Sequence, residues 1–337
     1  MNKIFPIFLA IIMVLSACGQ GVGSGAVGGN GSDGQSDVLL PIRVVLDWTP
    51  NTNHTGMFVA LEMGWYADVG LDVEFLQPPE GGALAIVGAG GGEFAVSYQE
   101  GLGPALAAAN PIPVTAVAAL LQHNTSGIIS LAQSGIYSPA DLEGRVFASW
   151  GTPLVDETIR HIVTADGGDF YQVDIVVDLV TDAISALQTR IDAIWVFYGW
   201  DALAAGLAGL DYNFINLGQF DPVLDFYTPI LVAGDAFLDS NPDAVRAFLE
   251  ATARGYAFAI ENPDAASDIL LAHAPELSED LVRASQRFLA GEYIAGAPRW
   301  GEIDPARWEN FYTWMYERDL LGRGLGSEGF TNEFLPG

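Results

Sequence analysis

Short apolar segments typical of β-strands alternate with segments of helical periodicity between residues 42 and 201, and this alternation restricts the fold more than any other feature. The predicted strands are 42–46, 71–75, 94–97, 114–121, 145–149, 173–177 and 193–197. The predicted helices are 57–66, 83–87, 153–164 and 183–189. Alternating strands and helices predict an α/β protein whose sheets are mainly parallel. Beyond Tyr227 the pattern becomes mostly helical, with Pro at the first helical position after Asn241, Asn262 and Asp304.

Length and charge narrow the classes of function. The stretch from Pro41 to Gly337 is long enough for two domains of ordinary size, and 50% of the chain is apolar. The charge is strongly acidic, with 42 Asp and Glu residues against 13 Lys and Arg residues, and Lys3 is the only lysine. Nucleic acids and anionic lipid surfaces would repel such a chain, so the composition excludes a nucleic-acid-binding role.

The N-terminal segment has the features of a secretion signal. Lys3 precedes an uncharged apolar run, residues 4–15, which is too short to span about 30 Å of hydrocarbon but has the length of a signal-peptide core. Residues 15–18 (Leu-Ser-Ala-Cys) resemble a bacterial lipobox, so we predict a signal peptide over 1–17 and a lipid anchor, such as palmitate, on Cys18. Residues 18–41 are rich in Gly and Ser and predict a flexible tether. Cys18 is the only cysteine, which rules out a disulfide within one chain.

Aromatic and polar side chains follow the ends of the predicted strands. In open α/β sheets, ligands bind beyond the carboxyl ends of the strands. Aromatic faces stack on a flat ring, while carboxylates and amides orient its polar edge. A single strand-end aromatic is equally compatible with a place in the core, but several in one chain predict a shared ligand cleft. The loops concerned are 47–51, 97–100, 122–125, 149–152, 195–201 and 225–229.

Several segments of the chain resemble one protein family. They are residues 46–56, 96–100, 122–127, 197–201, 225–229, 259–263 and 330–336. Together they are similar to the NMT1/THI5-like solute-binding proteins over roughly residues 42–336. The resemblance implies a two-lobed periplasmic-binding fold (type II-like) in which the chain crosses between the lobes twice, near 126–130 and near 220–230. Lobe one would comprise 42–127 and 230–337, and lobe two would comprise 128–229.

The resemblance also implies which residues line the cleft. It carries over to Trp48, Tyr98, Glu100, Trp150, Glu157 and Tyr198. Trp48 would stack on the ligand ring, and Glu100 or Glu157 would accept hydrogen bonds from its N–H groups. A solvated helix face is nearly as good an interpretation of Glu157, and a core position is an even alternative for Trp195. The strand-end loops add the remaining candidates, which are Asp47, Asn51, His123, Asn124, Trp200 and Tyr227.

The chemistry of these loops predicts the class of ligand. None of them contains Arg or Lys, the side chains that normally bind a phosphate or sulfonate. A neutral or weakly cationic aromatic heterocycle is therefore expected. Members of the family bind thiamin pyrimidine precursors, and similar lipoproteins bind riboflavin; we expect riboflavin by a narrow margin, on resemblance alone, with formylaminopyrimidine or hydroxymethylpyrimidine as the alternative. The expected protein is a monomer on the outer face of the cell membrane that delivers its ligand to an ABC permease and its ATPase.

An enzyme is the alternative class of function. Eukaryotic relatives of this family make the thiamin pyrimidine with pyridoxal phosphate, whose chemistry normally proceeds through a lysine Schiff base. The chain has no lysine after Lys3, and its four His residues lack metal-ligand spacing. We therefore predict a binding protein with no catalytic residue, cofactor or metal. A sensory or adhesive domain is a third class, but any signal would then have to pass through a partner.

Overall fold

A computed structural model describes residues 38–79, 82–178, 180 and 182–337. The predicted signal peptide, Cys18 and most of the predicted tether lie outside these residues. The strands are β1 (Leu40–Val45), β2 (Leu71–Leu76), β3 (Phe94–Ser97), β4 (Val114–Ala119), β5 (Ser126–Leu131), β6 (Val146–Ser149), β7 (Asp174–Val177), β8 (Ala193–Phe197), β9 (Tyr212–Asn216) and β10 (Ile230–Gly234). Within the described part of the chain, no helix combines the length and the apolar character needed to cross a bilayer.

Helices connect and cover the strands. They are α1 (Thr55–Glu62), α2 (Trp65–Asp68), α3 (Ala83–Gly88), α4 (Gln99–Ala107), α5 (Pro153–Ala165), α6 (Ala183–Thr189), α7 (Leu203–Leu207), α8 (Leu217–Phe220), α9 (Asp235–Ser240), α10 (Pro242–Glu261), α11 (Pro263–His273), α12 (Glu279–Glu292) and α13 (Pro305–Tyr316). The single helix predicted over 57–66 is two helices, because Gly64 between them has a φ of 71° and interrupts the helical backbone.

The strands form two five-stranded sheets, which confirms the predicted α/β architecture. The first sheet has the order β2-β1-β3-β10-β4 and the second has the order β7-β6-β8-β5-β9. In each sheet one strand runs against the others: β10 is antiparallel to both β3 and β4, and β5 is antiparallel to both β8 and β9. The prediction of mainly parallel sheets is therefore wrong: both sheets are mixed, with only half of their strand pairs parallel, because the strand that begins after each crossing runs against its neighbours.

The two reversed strands mark where the chain passes from one sheet to the other. The chain enters the second sheet between Ala119 and Ser126 and begins β5 there, slightly before the predicted range of 126–130. It returns between Asn216 and Ile230 and begins β10. Each crossing thus delivers the chain into the interior of the destination sheet. The proposed boundaries of the two lobes stay predictions.

The inner strands β3, β10, β5 and β8 are buried on both faces, which explains their nearly continuous apolar sequences, whereas the edge strands β2, β7 and β9 are partly exposed. One core packs α1 and α10 on the first sheet, and another packs α6 and α7 on the second. The largest core contains residues from both sheets together with α13, whose Trp308 and Phe311 are fully buried. The C-terminal helix therefore contributes to the same apolar cluster as both sheets.

Candidate functional site

A cavity of about 630 Å³ lies where strands and helices of both sheets meet. Its walls come from the beginning of α4, the beginning of α5, the end of β8, both crossing segments and the C-terminal region. The lining residues are Tyr98, Glu100, Gly101, Pro104, Ser126, Trp150, Thr152, Pro153, Leu154, Val155, Trp195, Phe197, Phe226, Thr228, Met315 and Leu320. Tyr98, Glu100 and Trp150 among them belong to the predicted site. This position beyond the ends of β3, β6 and β8 is where α/β sheets commonly bind ligands.

A buried hydrogen-bond chain fixes Tyr98 at the cavity. The Tyr98 hydroxyl donates to Asp47 Oδ2 at 2.6 Å, and Asp47 Oδ1 lies 2.6 Å from His54 Nε2. The other ring nitrogen of His54 accepts from the backbone N–H of Asn51, so Nε2 carries the proton and donates to Asp47. Burial opposes a charge on Asp47, but His54 and Tyr98 together lower the pKa of its carboxyl. Three predicted residues, Asp47, Asn51 and Tyr98, therefore form one supporting network.

The beginning of α4 is held equally firmly. Gln99 is fully buried, and its side chain accepts from the backbone N–H of Tyr227 and donates to the carbonyl of Trp308. The Tyr312 hydroxyl donates to the carbonyl of Gln99. These bonds tie the first turn of α4 to the second crossing segment and to α13. The side chain of Glu100, which follows Gln99, is thereby directed from a rigid support.

Two tryptophans form a flat wall of the cavity. The rings of Trp150 and Trp195 are stacked with centroids 5.7 Å apart and planes 28° apart. Trp150 follows β6 and is 37% exposed, whereas Trp195 lies within β8 and is 4% exposed. Gly151 after Trp150 has a φ of 73°, a left-handed conformation that lets the chain turn sharply into α5. A planar ring can stack against such a wall.

Four polar atoms of the lining residues are buried without a hydrogen-bond partner. They are Glu100 Oε2, Ser126 Oγ, Thr228 Oγ1 and Trp195 Nε1. Leaving a buried polar group unpaired typically costs about 1–3 kcal/mol. None of the described residues that line the cavity is Arg, Lys or His. The cavity therefore combines aromatic walls with a few polar groups and carries no cation, as the strand-end loops predicted.

Among the described residues that line the cavity, Glu100 is the one with a carboxyl side chain. Burial raises the pKa of Glu100 to about 8, against smaller opposing contributions from its own backbone N–H and from the Thr228 hydroxyl, which lies near the carboxyl but does not meet hydrogen-bond geometry. At neutral pH the side chain is therefore mainly a neutral acid, which has one O–H donor and one carbonyl acceptor.

His123, Asn124 and Tyr227 lie in the crossing segments and outside this cavity. Asn124 donates from its backbone to Asp225 Oδ1 and from its side chain to the carbonyl of Leu224. His123 Nδ1 lies 2.7 Å from Asp225 Oδ2. Tyr227 lies beneath the Arg307 guanidinium, which is 3.8 Å from its ring centroid. These predicted residues thus join the two crossing segments to each other and to α13.

The remaining predicted residues are also placed outside the cavity. Trp48 is 54% exposed, and Asn51 caps a short 3-10 helix. Glu157 forms ion pairs with Arg160 and Arg318. Tyr198 lines a neighbouring cavity of about 620 Å³, which also borders His123 and Asn124. Trp200 packs against the core between the first sheet and its helices.

The sequence predictions missed several lining residues. Ser126 and Thr228 lie inside the selected segments 122–127 and 225–229, but they are small polar residues and no periodicity distinguishes them as ligand contacts. Phe226 and Met315 are buried, so their sequence pattern is that of ordinary core positions. Trp195 was recognised, but its core and cleft interpretations were evenly balanced; it is both buried and part of the cavity wall. Among the described residues, no group of three His, Cys, Asp or Glu side chains is arranged to hold a metal ion.

A family model supplies the classification. The model described as NMT1/THI5 like matches residues 51–266, which is more than half of the chain. The chain belongs to the NMT1/THI5-like family. The resemblance inferred from the strand-end segments is therefore confirmed.

Individual NMT1/THI5-like relatives differ in what their names describe. The chain is 27% identical to the formylaminopyrimidine-binding protein of Halalkalibacterium halodurans, over 97% of this chain and 96% of that protein. It is 24% identical to the riboflavin-binding protein RibY of Chloroflexus aurantiacus, over 89% and 87% of the two chains. It is also 26% identical to a 4-amino-5-hydroxymethyl-2-methylpyrimidine phosphate synthase of Legionella pneumophila, over 73% and 78%. The family thus contains both binding proteins and enzymes.

The fold of this NMT1/THI5-like chain is that of known solute-binding proteins. The periplasmic aliphatic sulphonate-binding protein SsuA of Escherichia coli superimposes with a TM-score of 0.67 at 14% identity, covering 85% of this chain and 94% of that one. This similarity confirms the predicted two-lobed α/β fold.

Proposed function

We propose that this protein captures a small, flat, uncharged heterocycle outside the cell membrane and delivers it to an ABC importer without altering it. The observation that carries the proposal is the 630 Å³ cavity, which combines the stacked rings of Trp150 and Trp195 with four unpartnered polar atoms and, among its described lining residues, no cationic side chain. Ligand pockets typically have about 300–1,000 Å³ and mostly apolar walls with a few placed polar groups.

A thiamin pyrimidine precursor, with formylaminopyrimidine as the named example, is the ligand that we place first. The relative whose name includes that ligand matches nearly the whole chain at 27% identity. Riboflavin, which sequence resemblance narrowly favoured, becomes the second candidate because its named relative matches less of the chain at 24% identity. Both compounds are flat and close to neutral, so the absence of a cation from the lining is compatible with either.

Closure of the two lobes on the ligand is the mechanism that we propose. The two crossing segments are joined by the bonds of His123 and Asn124 to the 224–225 region, and both contribute residues to the cavity through Ser126 and Thr228. A ligand that contacts both crossing segments stabilises the closed arrangement of the lobes, in which residues of both segments reach it at the same time. The closed form would then dock on the permease and its ATPase.

We also propose that a lipid on Cys18 holds the protein at the outer face of the membrane. The support is the sequence pattern of residues 1–41, which has a signal-peptide core, a lipobox-like segment and a Gly/Ser-rich tether. One lipid signal near a flexible tether suits an anchored rather than a spanning protein. Membrane fractionation of a Cys18→Ala variant tests the anchor, and retention of that variant in the membrane would contradict it.

Pyrimidine synthesis is the competing function, since synthases of the family match about three quarters of the chain. The described residues of the cavity lining include no Lys, and the sequence contains none after Lys3. A pyridoxal Schiff base therefore has no lysine to form on. A binding role accounts for the same cavity without that step.

Replacing Trp150 should weaken ligand binding far more than replacing Trp48. Trp150→Ala removes one face of the aromatic wall, which we expect to cost about 1.5–3 kcal/mol, or roughly 10–100-fold in the affinity for formylaminopyrimidine. Trp48→Ala is the matched control: its ring is 54% exposed and outside the cavity, so the affinity should change by less than about 3-fold. Calorimetric titration measures both. The reverse order, with Trp48 essential and Trp150 dispensable, would place the binding site elsewhere.

A further inference from the structure

The cavity contains a carboxyl whose surroundings do not suit a charge. Glu100 Oε2 is buried without a partner, and the nearby groups are aromatic rings, apolar side chains and hydroxyls. Two titratable side chains lie close enough to interact with a charge on Glu100, Tyr98 after β3 and Tyr312 on α13; burial raises the pKa of both hydroxyls, and a charged Glu100 would raise it further. Asp47 accepts a hydrogen bond from the Tyr98 hydroxyl, so it adds negative rather than positive charge to the surroundings of Glu100. A buried ion without a cation or sufficient hydrogen bonds is costly.

We propose that Glu100 acts as a neutral acid that recognises a ligand edge carrying a hydrogen-bond donor and an acceptor side by side. This inference rests on the proposed binding function and specifies the chemistry of that same cavity. In the neutral form, one carboxyl oxygen donates its proton and the other accepts, so a single side chain satisfies both groups of the edge. Glu100 then determines ligand specificity through paired hydrogen bonds and not through charge.

The other unpartnered atoms extend the same pattern. Trp195 Nε1 can only donate, and the hydroxyls of Ser126 and Thr228 can donate or accept. A ligand that presents an acceptor to Trp195 as well as a mixed edge to Glu100 would pair both groups. Ring amidines such as aminopyrimidines, in which a ring nitrogen stands beside an exocyclic amino group, have such an edge. So do cyclic amides. Sulfonate and phosphate groups offer acceptors only, and they would meet no cation among the described residues of the cavity lining.

Two substitutions of Glu100 test whether the side chain binds the ligand as a neutral acid or as a charged carboxylate. Glu100→Gln keeps a donor and an acceptor in nearly the same place without charge, whereas Glu100→Met keeps only the shape. With the full chain purified in detergent and formylaminopyrimidine as the probe, Glu100→Gln should retain the affinity within about 3-fold, and Glu100→Met should lose roughly 30–100-fold, the worth of two hydrogen bonds. Equal losses for both variants would show that a charged carboxylate is required and would overturn the proposal.

The pH dependence of binding provides a second criterion in the same titrations. Since the raised pKa of Glu100 is about 8, wild-type affinity should be constant up to about pH 7 and should fall up to about tenfold per pH unit above pH 8, because the carboxyl loses its donor proton. The Glu100→Gln variant should show no such fall. A parallel fall in both proteins would contradict the proposed role.

A ligand-free measurement distinguishes failure of this inference from failure of the proposed function. The infrared spectrum of the wild-type chain minus that of Glu100→Gln should contain the carbonyl band of a protonated carboxyl at about pH 6.5 and lose it at about pH 9.5. If the wild-type chain binds no probe but shows this band, the proposed ligand fails while the neutral acid stands. If the band is absent at pH about 6.5, the neutral acid is refuted whatever binds.

Discussion

Replacing Glu100 with Gln should stabilise the protein at neutral and alkaline pH. The resulting gain in the free energy of unfolding should be roughly 3–5 kcal/mol larger at pH 8 than at pH 4.5. The carboxyl has an ordinary pKa of 4.5 in the unfolded chain and a pKa of about 8 in the folded protein. Between those two pH values, ionisation of Glu100 stabilises the unfolded chain but not the folded protein. The free energy of unfolding therefore falls by about 1.4 kcal/mol for each pH unit. The effect is large because a single side chain carries it.

The sign of the effect follows from which state holds the proton. Below about pH 4.5 Glu100 is protonated in both states, so the substitution changes little. Between pH 4.5 and pH 8 the unfolded chain ionises while the folded protein stays neutral, and the wild type progressively loses stability relative to the variant. Above pH 8 both states are ionised and the difference levels off.

Urea unfolding of both proteins at several pH values measures this difference directly. Glu309→Gln is the matched control, since Glu309 is an exposed carboxyl on α13; its effect should stay within about 0.5 kcal/mol at every pH. Glu100→Gln and wild-type curves that run parallel from pH 4.5 to pH 8 would mean that Glu100 titrates normally, and the assignment of a neutral acid would be abandoned.

Replacing Gly255 with Ala should destabilise the protein by about 3 kcal/mol or more. Gly255 lies on α10 where that helix crosses α1, and a Cβ at this position would collide with the backbone carbonyl of Gly56. A backbone carbonyl cannot rotate away as a side chain can, so the helices must separate. Because α1 follows the 47–54 segment that supports Tyr98, we expect the separation to disturb the site as well.

Gly291 provides the control for the helix propensity of alanine. It lies on α12, is exposed and has no atom within 4 Å of a built Cβ. Gly291→Ala should therefore stabilise the protein by up to about 1 kcal/mol, since alanine is the better helix former. Midpoints of urea unfolding measure both changes, provided that the slope of the free energy of unfolding against urea concentration is the same in each protein. A Gly255→Ala variant as stable as the wild type would contradict the close approach of α10 to the Gly56 backbone of α1.

The alternation of strands and helices was predictable because each depends on local periodicity. The strands β1, β2, β3, β6, β7 and β8 lie within one or two residues of the predicted ranges. The strands β5, β9 and β10 were missed because their identity depends on distant partners. In β5, Gly127 weakens the strand pattern, yet the structure needs glycine there: a Cβ would collide with the Ile215 carbonyl and the Phe214 ring of β9. Only the pairing reveals that requirement.

Only some of the residues predicted for the candidate site line the cavity, and the sequence could not show which ones. All of the selected loops follow strands or lie within the crossing segments, so they look alike in sequence. In the folded chain, Tyr98, Glu100 and Trp150 line the cavity, whereas His123 and Asn124 join the crossing segments. The chemistry of a loop predicts what it can bind, but its position relative to the other sheet decides whether it reaches the ligand. Trp48, expected to stack on the ring, lies outside the cavity for this reason.

The buried hydrogen-bond chain around Asp47 contains residues that the sequence analysis predicted to contact the ligand but that support Tyr98 instead. Asp47 and Asn51 were selected as direct contacts, yet they form a hydrogen-bonded chain with His54 that positions Tyr98. Such supporting groups hold a binding side chain in one orientation, which lowers the entropy lost when the ligand binds. Polar residue types alone do not distinguish a contact from its support.

Calorimetric titration of the wild-type chain, unfolded and refolded to remove any bound compound, tests the central claim most directly. We predict saturable one-to-one binding of formylaminopyrimidine, accompanied by a change in tryptophan fluorescence as the ring stacks on Trp150. Binding of riboflavin alone would reverse the order of the two ligands and leave the cavity and the importer role in place. Absence of binding by both compounds would contradict the account that this cavity captures a vitamin-related heterocycle.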